Sequence, residues 1–418
     1  MVVMALFVTL VITVALGVSI GNALIAGSTL AALSADIPLT VVTQKLVTSN
    51  DSFPLMAIPL FIFAGAIMSN GGVSKRLVDL ADACIGWASG GLGIVANLTG
   101  VFFSAISGSS AATSAAVGTI MMPEMEKRGY DREFSTAIVA ASGQTGIIIP
   151  PSVTMVVYGV IAGVSVGELF SGGLVPGLLM GGSMCVLTYF IAKKKGYKGT
   201  QFKGFGNIAK SFGKAIWGLL MPVIILGGIY GGIFTPTEAA AVAVIYGLFV
   251  GFFIHKELTL SSLKKIVEDT IISSATIMII MNAAGLFSWM LTREQIPVII
   301  ANFFVTLTQN PMIYLLLINI LLLFTGMLLN PSAAVTILAP ILVPVAAKFN
   351  INLVFFGVLM VSNLAIGSLT PPVGTGLFVA SSVSGVPIEK VARASLPYIL
   401  LLLVDLAVLT VCPALVIF

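Results

Sequence analysis

The sequence predicts an all-α polytopic membrane protein built from two repeats that contain interrupted helices. Three observations lead to this fold class. Hydrophobic residues make up 58% of the 418 residues and charged residues only 9%. Marker residues recur at a constant separation, and Gly, Ser and Pro interrupt apolar stretches at matching places. A soluble domain contains about a quarter charged residues, so lipid must solvate much of this chain.

Candidate membrane-spanning helices are apolar stretches of roughly 20 residues. The first has neither a basic amino-terminal region nor a convincing cleavage site, so we expect a retained helix. Stretches of sufficient length are 2–20, 53–69, 89–107, 133–149, 169–192, 215–234, 237–254, 270–291, 312–329, 352–369 and 391–416. Apolar pieces too short to cross comfortably lie at 22–33, 110–123, 150–163, 332–347 and 372–384.

A Lys/Gly-rich linker, residues 193–214, divides the chain and contains seven lysines and no acidic residue. The positive-inside rule predicts that this linker is cytoplasmic. A patch for lipid headgroups is the alternative interpretation of the lysines. Nucleic-acid binding explains them poorly, because no aromatic-rich polar face accompanies them, and we expect no nucleic-acid partner.

Cysteine and histidine do not indicate a zinc or haem site. Cys84, Cys185 and Cys412 are scattered through apolar segments, and the single His255 follows a helical stretch beside Lys256. The sequence has no Ser/His/Asp arrangement, no P-loop and no glycine-rich turn after a strand. An enzyme within the membrane would also need convergent titratable groups. We therefore expect no enzymatic activity and no organic cofactor.

An internal repeat appears when the sequence is shifted by 221 positions. The matched residues are Pro123 with Pro344, Gly146 with Gly367, Pro150-Pro151 with Pro371-Pro372, Glu168 with Glu389, and Pro176 with Pro397. We predict a first repeat over 1–192 and a second over 215–418. Membrane carriers commonly contain inverted repeats with the transport site at their interface. The offset alone does not show inversion, so a parallel tandem repeat is the alternative.

Each repeat contains two places where a helix should break. We predict re-entrant hairpins at about 89–123 and 312–347, turning at 104–110 and 325–332. Broken helices are predicted at about 133–163 and 352–384, since each contains a Pro-Pro pair that removes amide donors. Unpaired carbonyls are costly in hydrocarbon and persist only inside protein or beside a polar cavity. Kinks between packed helices are the alternative, but four breaks paired by the repeat favour a ligand site.

The chemistry of these segments favours an alkali cation. Residues 89–123, 134–167, 312–347 and 349–388 contain no Asp, Glu, Lys, Arg or His. The available ligands are carbonyls, hydroxyls and amides, with negative potential added by helix carboxyl ends. Proton coupling normally requires an ionisable group in the membrane, for which Asp405 is the clear candidate. Sodium coupling is therefore favoured, and helix amino ends at the same breaks could hold a small organic anion.

With these residues in view, the chain resembles the large membrane subunit of TRAP transporters, the DctM type, over nearly its whole length. The motifs that support the resemblance are FPLMAIPLFIFAGAIMSNGG (53–72), GGLGIVANLTGVFFSAISGSSAATSAAVGTIMMPEMEKRGYD (90–131), IIIPPSVTMVVYG (147–159), LFSGGLVPG (169–177), MPVIILGGIYGGIFTPTEAAAVA (221–243), FTGMLLNPSAAVTILAPILVP (324–344) and AIGSLTPPVG (365–374).

The resemblance implies an elevator-type permease of a bacterial inner membrane, driven by a sodium gradient. It also implies a small four-helix DctQ-type membrane subunit and a soluble periplasmic binding protein that delivers a dicarboxylate, sialic acid or another sugar acid. The alternative is a proton-coupled anion carrier, or one that works without a binding protein.

Family sodium sites lie at the hairpin tips and the Pro-Pro breaks. Carried over to this chain, the first site comprises Ser104, Ser107, Gly146, Ile149 and Pro150. The second comprises Gly326, Asn330, Gly367, Thr370 and Pro371. Substrate contacts are predicted for Ser109, Ser110, Thr113 and Thr375, with sodium as the only metal ion. The family usually has Asp where this chain has Asn330, which puts ion affinity or substrate preference at the second site in question.

Outside these sites, the motif FTPTEAA places Glu238 at a helix start, where we predict mainly a capping role.

Overall fold

The first half of the chain folds into ten α-helices. The computed structural model describes residues 2–416; Met1, Ile417 and Phe418, at the outer ends of the two predicted repeats, lie outside them. The helices are α1 (Val2–Ala15), α2 (Ile20–Ser34), α3 (Leu39–Thr48), α4 (Ala57–Asn70), α5 (Val73–Ile85), α6 (Gly91–Ser107), α7 (Ser110–Lys127), α8 (Arg132–Ile148), α9 (Val153–Ala162) and α10 (Val166–Lys194).

The second half begins after the lysine-rich linker. Its helices are α11 (Phe205–Tyr230), α12 (Pro236–Phe249), α13 (Leu260–Arg293), α14 (Ile296–Leu307), α15 (Pro311–Leu328), α16 (Pro331–Lys348), α17 (Leu353–Gly367), α18 (Thr375–Ser384) and α19 (Ile388–Val411). Within residues 2–416, nine helical segments are long and apolar enough to cross a membrane. The prediction of an all-α, multi-pass fold is confirmed.

The four predicted breaks separate helix pairs in the structure. α6 and α7 form the first hairpin, and α15 and α16 form the second. α8 and α9 flank Pro150-Pro151, while α17 and α18 flank Pro371-Pro372. The second arm of the first hairpin is longer than expected and ends at Lys127.

Three helices were not predicted from the sequence. α3 and α14 have only 10 and 12 residues, too few for a spanning stretch. α5 has charged residues on one face and apolar residues on the other, so its average composition resembles a loop. The first helix is also shorter than the predicted stretch 2–20, since α1 ends at Ala15. Gly17, just beyond it, adopts a positive φ of 82°.

Local capping explains where several helices begin. Thr235 and Glu238 form a reciprocal capping box at α12, in which the Thr235 amide donates to Glu238 Oε2 at 2.8 Å. The predicted capping role of Glu238 is therefore confirmed. At the breaks, Ser109, Ser152 and Asn330 cap α7, α9 and α16 by accepting hydrogen bonds from backbone amides.

The ends of α10 and α19 show that the repeats are inverted. These two helices are repeat counterparts, since Glu168 and Glu389 lie in their first turns. Lys195, just after α10, pairs with Asp131, just before α8. Lys390, at the start of α19, pairs with Glu133 at 3.0 Å. The end of α10 and the start of α19 thus lie together at the start of α8.

Two side-chain hydrogen bonds between α10 and α19, one buried and one part-buried, follow the same antiparallel course. Thr188 Oγ1 and Tyr398 OH lie 2.6 Å apart, and Ser183 Oγ donates to Asp405 Oδ2 at 2.6 Å. Moving towards the start of α10 therefore means moving towards the end of α19. The parallel alternative is excluded, and Asp405 lies at a contact between these helices.

The core of the molecule surrounds α8 and α17. Every residue of α8 from Phe134 to Ile148, and every residue of α17 from Val354 to Gly367, is buried. Longer helices such as α11 and α13 are mostly exposed and apolar, as lipid-facing helices must be. The two broken helices are therefore enclosed by protein, where interrupted backbone can persist.

Candidate functional site

A large cavity lies at the tip of the first hairpin. Its volume is about 1210 Å³, and its wall includes Ser107–Ala112 at the turn between α6 and α7. The start of α16, the start of α9 and faces of α2, α4 and α13 complete the wall. The cavity thus lies where both repeats and the outer helices meet.

The hairpin tip lies directly against the first Pro-Pro break. Gly108 adopts a left-handed conformation with φ of 62°, and its carbonyl accepts a hydrogen bond of 3.3 Å from the Val153 amide. A Cβ atom at Gly108 would lie 2.6 Å from the carbonyl oxygen of Pro151. Only glycine fits this position, since both the backbone angle and the close approach exclude a side chain.

Hydroxyl groups of the hairpin converge on the end of α8. Ser104 Oγ lies 2.7 Å from Thr145 Oγ1, and Ser107 Oγ lies 2.8 Å from Thr113 Oγ1. A Cβ atom at Gly146 would lie 2.7 Å both from the Ser109 carbonyl oxygen and from Thr113 Oγ1. The structure therefore brings Ser104, Ser107 and Gly146 of the first predicted ion site into one buried cluster.

The carbonyls of the first break are freed by its two prolines. Pro150 has no N–H to donate to the carbonyl of Gly146, and Pro151 has none for Ile147. Ile147 instead accepts a hydrogen bond from the Ser152 hydroxyl. Ile149 and Pro150 are also buried. Carbonyl oxygens without helical donors, beside several hydroxyls, form a ligand set suited to a hard cation.

The second predicted site is built on direct backbone contact. A Cβ atom at Gly326 would lie 3.0 Å from the Cα atom of Gly367, so α15 and α17 touch there. The Gly374 amide donates to the Met327 carbonyl at 2.9 Å, which ties the second hairpin to the second break. Thr370 Oγ1 donates to the Ile366 carbonyl at 2.8 Å.

The two breaks differ in exposure. Thr370 is half-buried and Pro371 is exposed, whereas Ile149 and Pro150 are buried. Asn330 lies on the cavity wall, and its Oδ1 accepts from the Ser332 amide at 3.0 Å. Thr370 and Pro371 are not on this wall. The second site is therefore more open than the first and extends away from the cavity.

The predicted substrate residues occupy different places. Ser109 and Ser110 lie on the cavity wall at the start of α7. Thr113 is fully buried and directs its hydroxyl at Ser107, within the first ion cluster. Thr375 begins α18 and does not lie on the wall. Geometry alone thus places two of the four predicted residues where a ligand in the cavity could contact them.

Three helix amino ends at the breaks face the cavity, and the start of α2 at Ile20 also lies on its wall. α7 begins at Ser110, α9 at Val153 and α16 at Pro331, and all three residues lie on the wall. Thr154 Oγ1 and Ser332 Oγ lie 3.0 Å apart, which joins the starts of α9 and α16 across the repeats. Helix amino ends carry a partial positive charge, and the amides that the caps leave without a partner make them a ready site for an anion.

No basic side chain of residues 2–416 lies on the wall of this cavity. Among residues 2–416, Asp269 is the only ionisable residue that lines the cavity. Within the described part of the chain, an anion in this cavity would therefore be held by amides and hydroxyls, without an arginine or lysine. No sequence pattern identified Asp269 or the polar wall residues of the outer helices, Asn22, Ser69, Asn70 and Thr276. Their spacing gives no signal, because tertiary packing alone selects the helix face that meets the cavity.

The chain is similar to known proteins over almost its whole length. Residues 3–415 match the family model described as "Tripartite ATP-independent periplasmic transporter, DctM component". The isethionate TRAP transporter permease protein DctMQ of Oleidesulfovibrio alaskensis is 45% identical over 413 residues, 99% of this chain. This chain spans only 65% of that longer protein.

A C4-dicarboxylate TRAP transporter large permease protein DctM of Pseudomonas aeruginosa is 45% identical over 370 residues, covering 88% of this chain and 87% of that protein. Among solved structures, the YdaH transporter of Alcanivorax borkumensis matches with a TM-score of 0.66 and 16% identity, over 90% of this chain and 89% of that one. At this identity the likeness shows a shared fold alone.

Proposed function

Because this chain belongs to the DctM family of tripartite ATP-independent periplasmic (TRAP) transporters, whose members are multi-pass inner-membrane permeases, we propose that it imports a small organic acid driven by a sodium gradient. The observation that carries this proposal is the cavity at the first hairpin tip. Three helix amino ends at the breaks face it, and the buried oxygen cluster of the first break lies directly behind it.

The division of roles follows from the chemistry of each place. Neutral oxygens at Ser104, Ser107 and the Gly146 region suit a dehydrated sodium ion. Amides at the starts of α7, α9 and α16 suit the carboxylate or sulfonate of a substrate. A cation bound behind these amides would add positive potential to the anion site. Ion and substrate binding would therefore favour one another.

Sodium is preferred over the proton because of where Asp405 lies. Its carboxylate accepts from Ser183 at the contact between α10 and α19, away from the cavity wall. A coupling proton should instead reside on a group inside the transport pathway. Asp269, the ionisable residue on the wall, is exposed and lies outside the buried oxygen cluster.

The substrate class proposed here is that of small organic acids. Two relatives bear the names of a C4-dicarboxylate and an isethionate permease, and the family resemblance adds sialic acid and other sugar acids. We further propose the partners typical of this family, namely a small DctQ-type membrane subunit and a periplasmic binding protein. In the elevator mechanism proposed for it, the hairpins and broken helices would move together against the outer helices.

Reconstituted transport tests the proposal. Proteoliposomes containing this chain with its small subunit and binding protein should accumulate radiolabelled organic acid only under an inward sodium gradient. A thermal-shift screen of the binding protein against dicarboxylates, sulfonates and sugar acids supplies the substrate to label. Uptake that persists in sodium-free buffer under a pH gradient would overturn the sodium assignment in favour of proton coupling. Uptake without the binding protein would overturn the proposed dependence on that partner.

A further inference from the structure

One side-chain pair connects the two broken helices. The hydroxyl of Ser368, which follows α17, donates to Gln144 Oε1 of α8 at 2.6 Å. Gln144 is 2% exposed and Ser368 is fully buried, so neither water nor lipid competes for this bond. Gln144 lies two residues before Gly146, and Ser368 lies directly after Gly367. The bond therefore joins the backbone of the two candidate ion sites.

The amide of Gln144 also contacts the far end of the second break. A Cβ atom at Gly376 would lie 2.1 Å from Gln144 Nε2. The Gly376 amide in turn donates to the Ser368 carbonyl at 2.9 Å. Gln144 thus contacts Ser368 at the start of the irregular connection 368–374 and Gly376 in the first turn of α18 beyond it, where glycine leaves the space that the Gln144 amide occupies.

This contact has no counterpart under the internal repeat. The position equivalent to Gln144 is Ala365, and the position equivalent to Ser368 is Ile147. Neither side chain can form a hydrogen bond. A contact required by the symmetric packing of the two repeats against each other would be expected at both equivalent places, so this single bond points to a role beyond that packing.

We propose that Gln144 is a positioning residue that couples cation binding at the two sites, an inference that rests on the proposed sodium-driven function. A cation at the first site orders the end of α8 and with it the Gln144 amide. Through Ser368, the ordered amide holds the connection 368–374 in the arrangement that binds the second cation. Because coupling is reciprocal, the second cation strengthens binding of the first.

The bond can be removed without removing the fold. The Ser368 hydroxyl also lies 2.8 Å from the Ala365 carbonyl, which supplies an alternative acceptor when Gln144 is lost. Ser368→Ala removes the same bond at the cost of a single oxygen atom. The two variants therefore test one interaction from both sides, and the double variant should be no worse than either single one.

The test measures sodium binding to the purified full-length chain, by the sodium dependence of its thermal stability. The thermal stability of the wild type should rise steeply with sodium concentration, as expected for two coupled sites. Gln144→Ala and Ser368→Ala should lower the apparent sodium affinity by about fivefold or more, with a shallower sodium dependence. Asn97→Ala is the matched control, because Asn97 is a fully buried amide that donates to Thr188 Oγ1 at 2.7 Å within one repeat. The Asn97→Ala substitution should lower thermal stability without changing the steepness of its sodium dependence.

The outcomes separate the two proposals. A wild-type chain that binds no sodium would overturn the proposed function, and the coupling with it. A wild type that binds sodium steeply, together with Gln144→Ala and Ser368→Ala variants of unchanged affinity and steepness, would overturn the coupling alone. If Asn97→Ala also made the sodium dependence of stability less steep, any substitution of a buried amide would have this effect. That result would equally overturn the role of Gln144.

Discussion

A methyl group at Gly367 would lie 2.7 Å from the Cα atom of Gly326, because the backbones of α15 and α17 touch at this pair. We predict that Gly367→Ala destabilises the protein by about 1–3 kcal/mol, since the clash involves backbone atoms that cannot rotate away. Sodium-dependent uptake should fall as well, because the pair lies in the second candidate site. Thermal stability in detergent and uptake in proteoliposomes measure the two effects.

Gly227→Ala is the control for that substitution. Gly227 lies within α11, and a Cβ atom there would meet nothing within 4 Å. Stability should remain unchanged or rise by up to about 1 kcal/mol, because alanine favours helix. Equal losses in both variants would contradict a special contact at Gly326 and Gly367.

Removing the Ser107 hydroxyl should weaken sodium binding. Ser107 Oγ lies in the buried oxygen cluster of the first break, 2.8 Å from Thr113 Oγ1. A polar contact to a charged group contributes about 1.5–3 kcal/mol, so Ser107→Ala should raise the sodium concentration for half-maximal uptake by about tenfold or more. Thr119→Ala is the control, because Thr119 lines the cavity but donates its hydroxyl to the Ala115 carbonyl of its own helix. Equal sodium dependence in the two variants would argue against a ligand role for Ser107.

Asn330→Asp should change ion and substrate binding in opposite directions. Aspartate can retain the cap, since an oxygen still accepts from the Ser332 amide, and it adds a negative charge on the cavity wall. Apparent sodium affinity should increase, while affinity for the organic anion should decrease by Coulomb repulsion. Uptake measured as a function of each ligand, with the other saturating, separates the two.

Asn310→Asp is the control, because it makes the same change of side chain at a helix cap away from the cavity. Asn310 caps α15 by accepting from the Met312 amide at 2.9 Å and is exposed, away from the cavity. This variant should leave both affinities unchanged. A similar response to both substitutions would show that the effect is not local to Asn330.

Stability should decrease at mildly acidic pH because of His255. Its Nδ1 lies 2.8 Å from the Gly71 carbonyl, and its buried Nε2 has no partner among residues 2–416. Burial, and to a smaller extent Arg76, holds the pKa of His255 below its usual value, despite opposing effects of the Gly71 carbonyl and Glu257. The unfolded chain therefore binds the proton more readily than the folded one.

The sign of the pH effect follows from this lowered pKa. Stability from neutral His255 is complete above the unfolded pKa of about 6.5, and it is lost as the pH falls through the lower folded value. Melting temperatures of the wild type and His255→Gln, measured from pH 8 to pH 5, should diverge below about pH 6.5, with the wild type losing more. Parallel curves would contradict the prediction.

Much of the fold could be predicted because its signals are local in sequence. Hydropathy marks the long spans, and the Pro-Pro pairs mark the breaks, since proline removes a donor wherever it stands. The constant offset between Gly146 and Gly367 predicts that the breaks are paired. Helices α3, α5 and α14 escaped prediction because they are short or amphipathic, and their stability depends on neighbours that the sequence does not name.

The candidate site was also predictable from the sequence only in part. The sequence identified Ser107 and Asn330 as residues at helix breaks, and the structure places both on one cavity wall. It could not predict that Thr113 directs its hydroxyl at Ser107, or that Thr375 lies away from the cavity. Which face of a helix meets which partner is decided by packing between segments distant in sequence.

The sequence by itself determined that this chain lies in a lipid bilayer, that its two halves are related, and where its helices break. It could do so because the apolar length of a segment and the missing amide of proline act on the chain locally. Only the tertiary structure decided that the repeats are inverted, that the amino ends of three helices from the breaks meet at one cavity, and that Gln144 reaches Ser368. Those relations depend on the directions in which α10 and α19 cross the bilayer and on contacts between residues more than two hundred positions apart, as in the pair from 144 to 368.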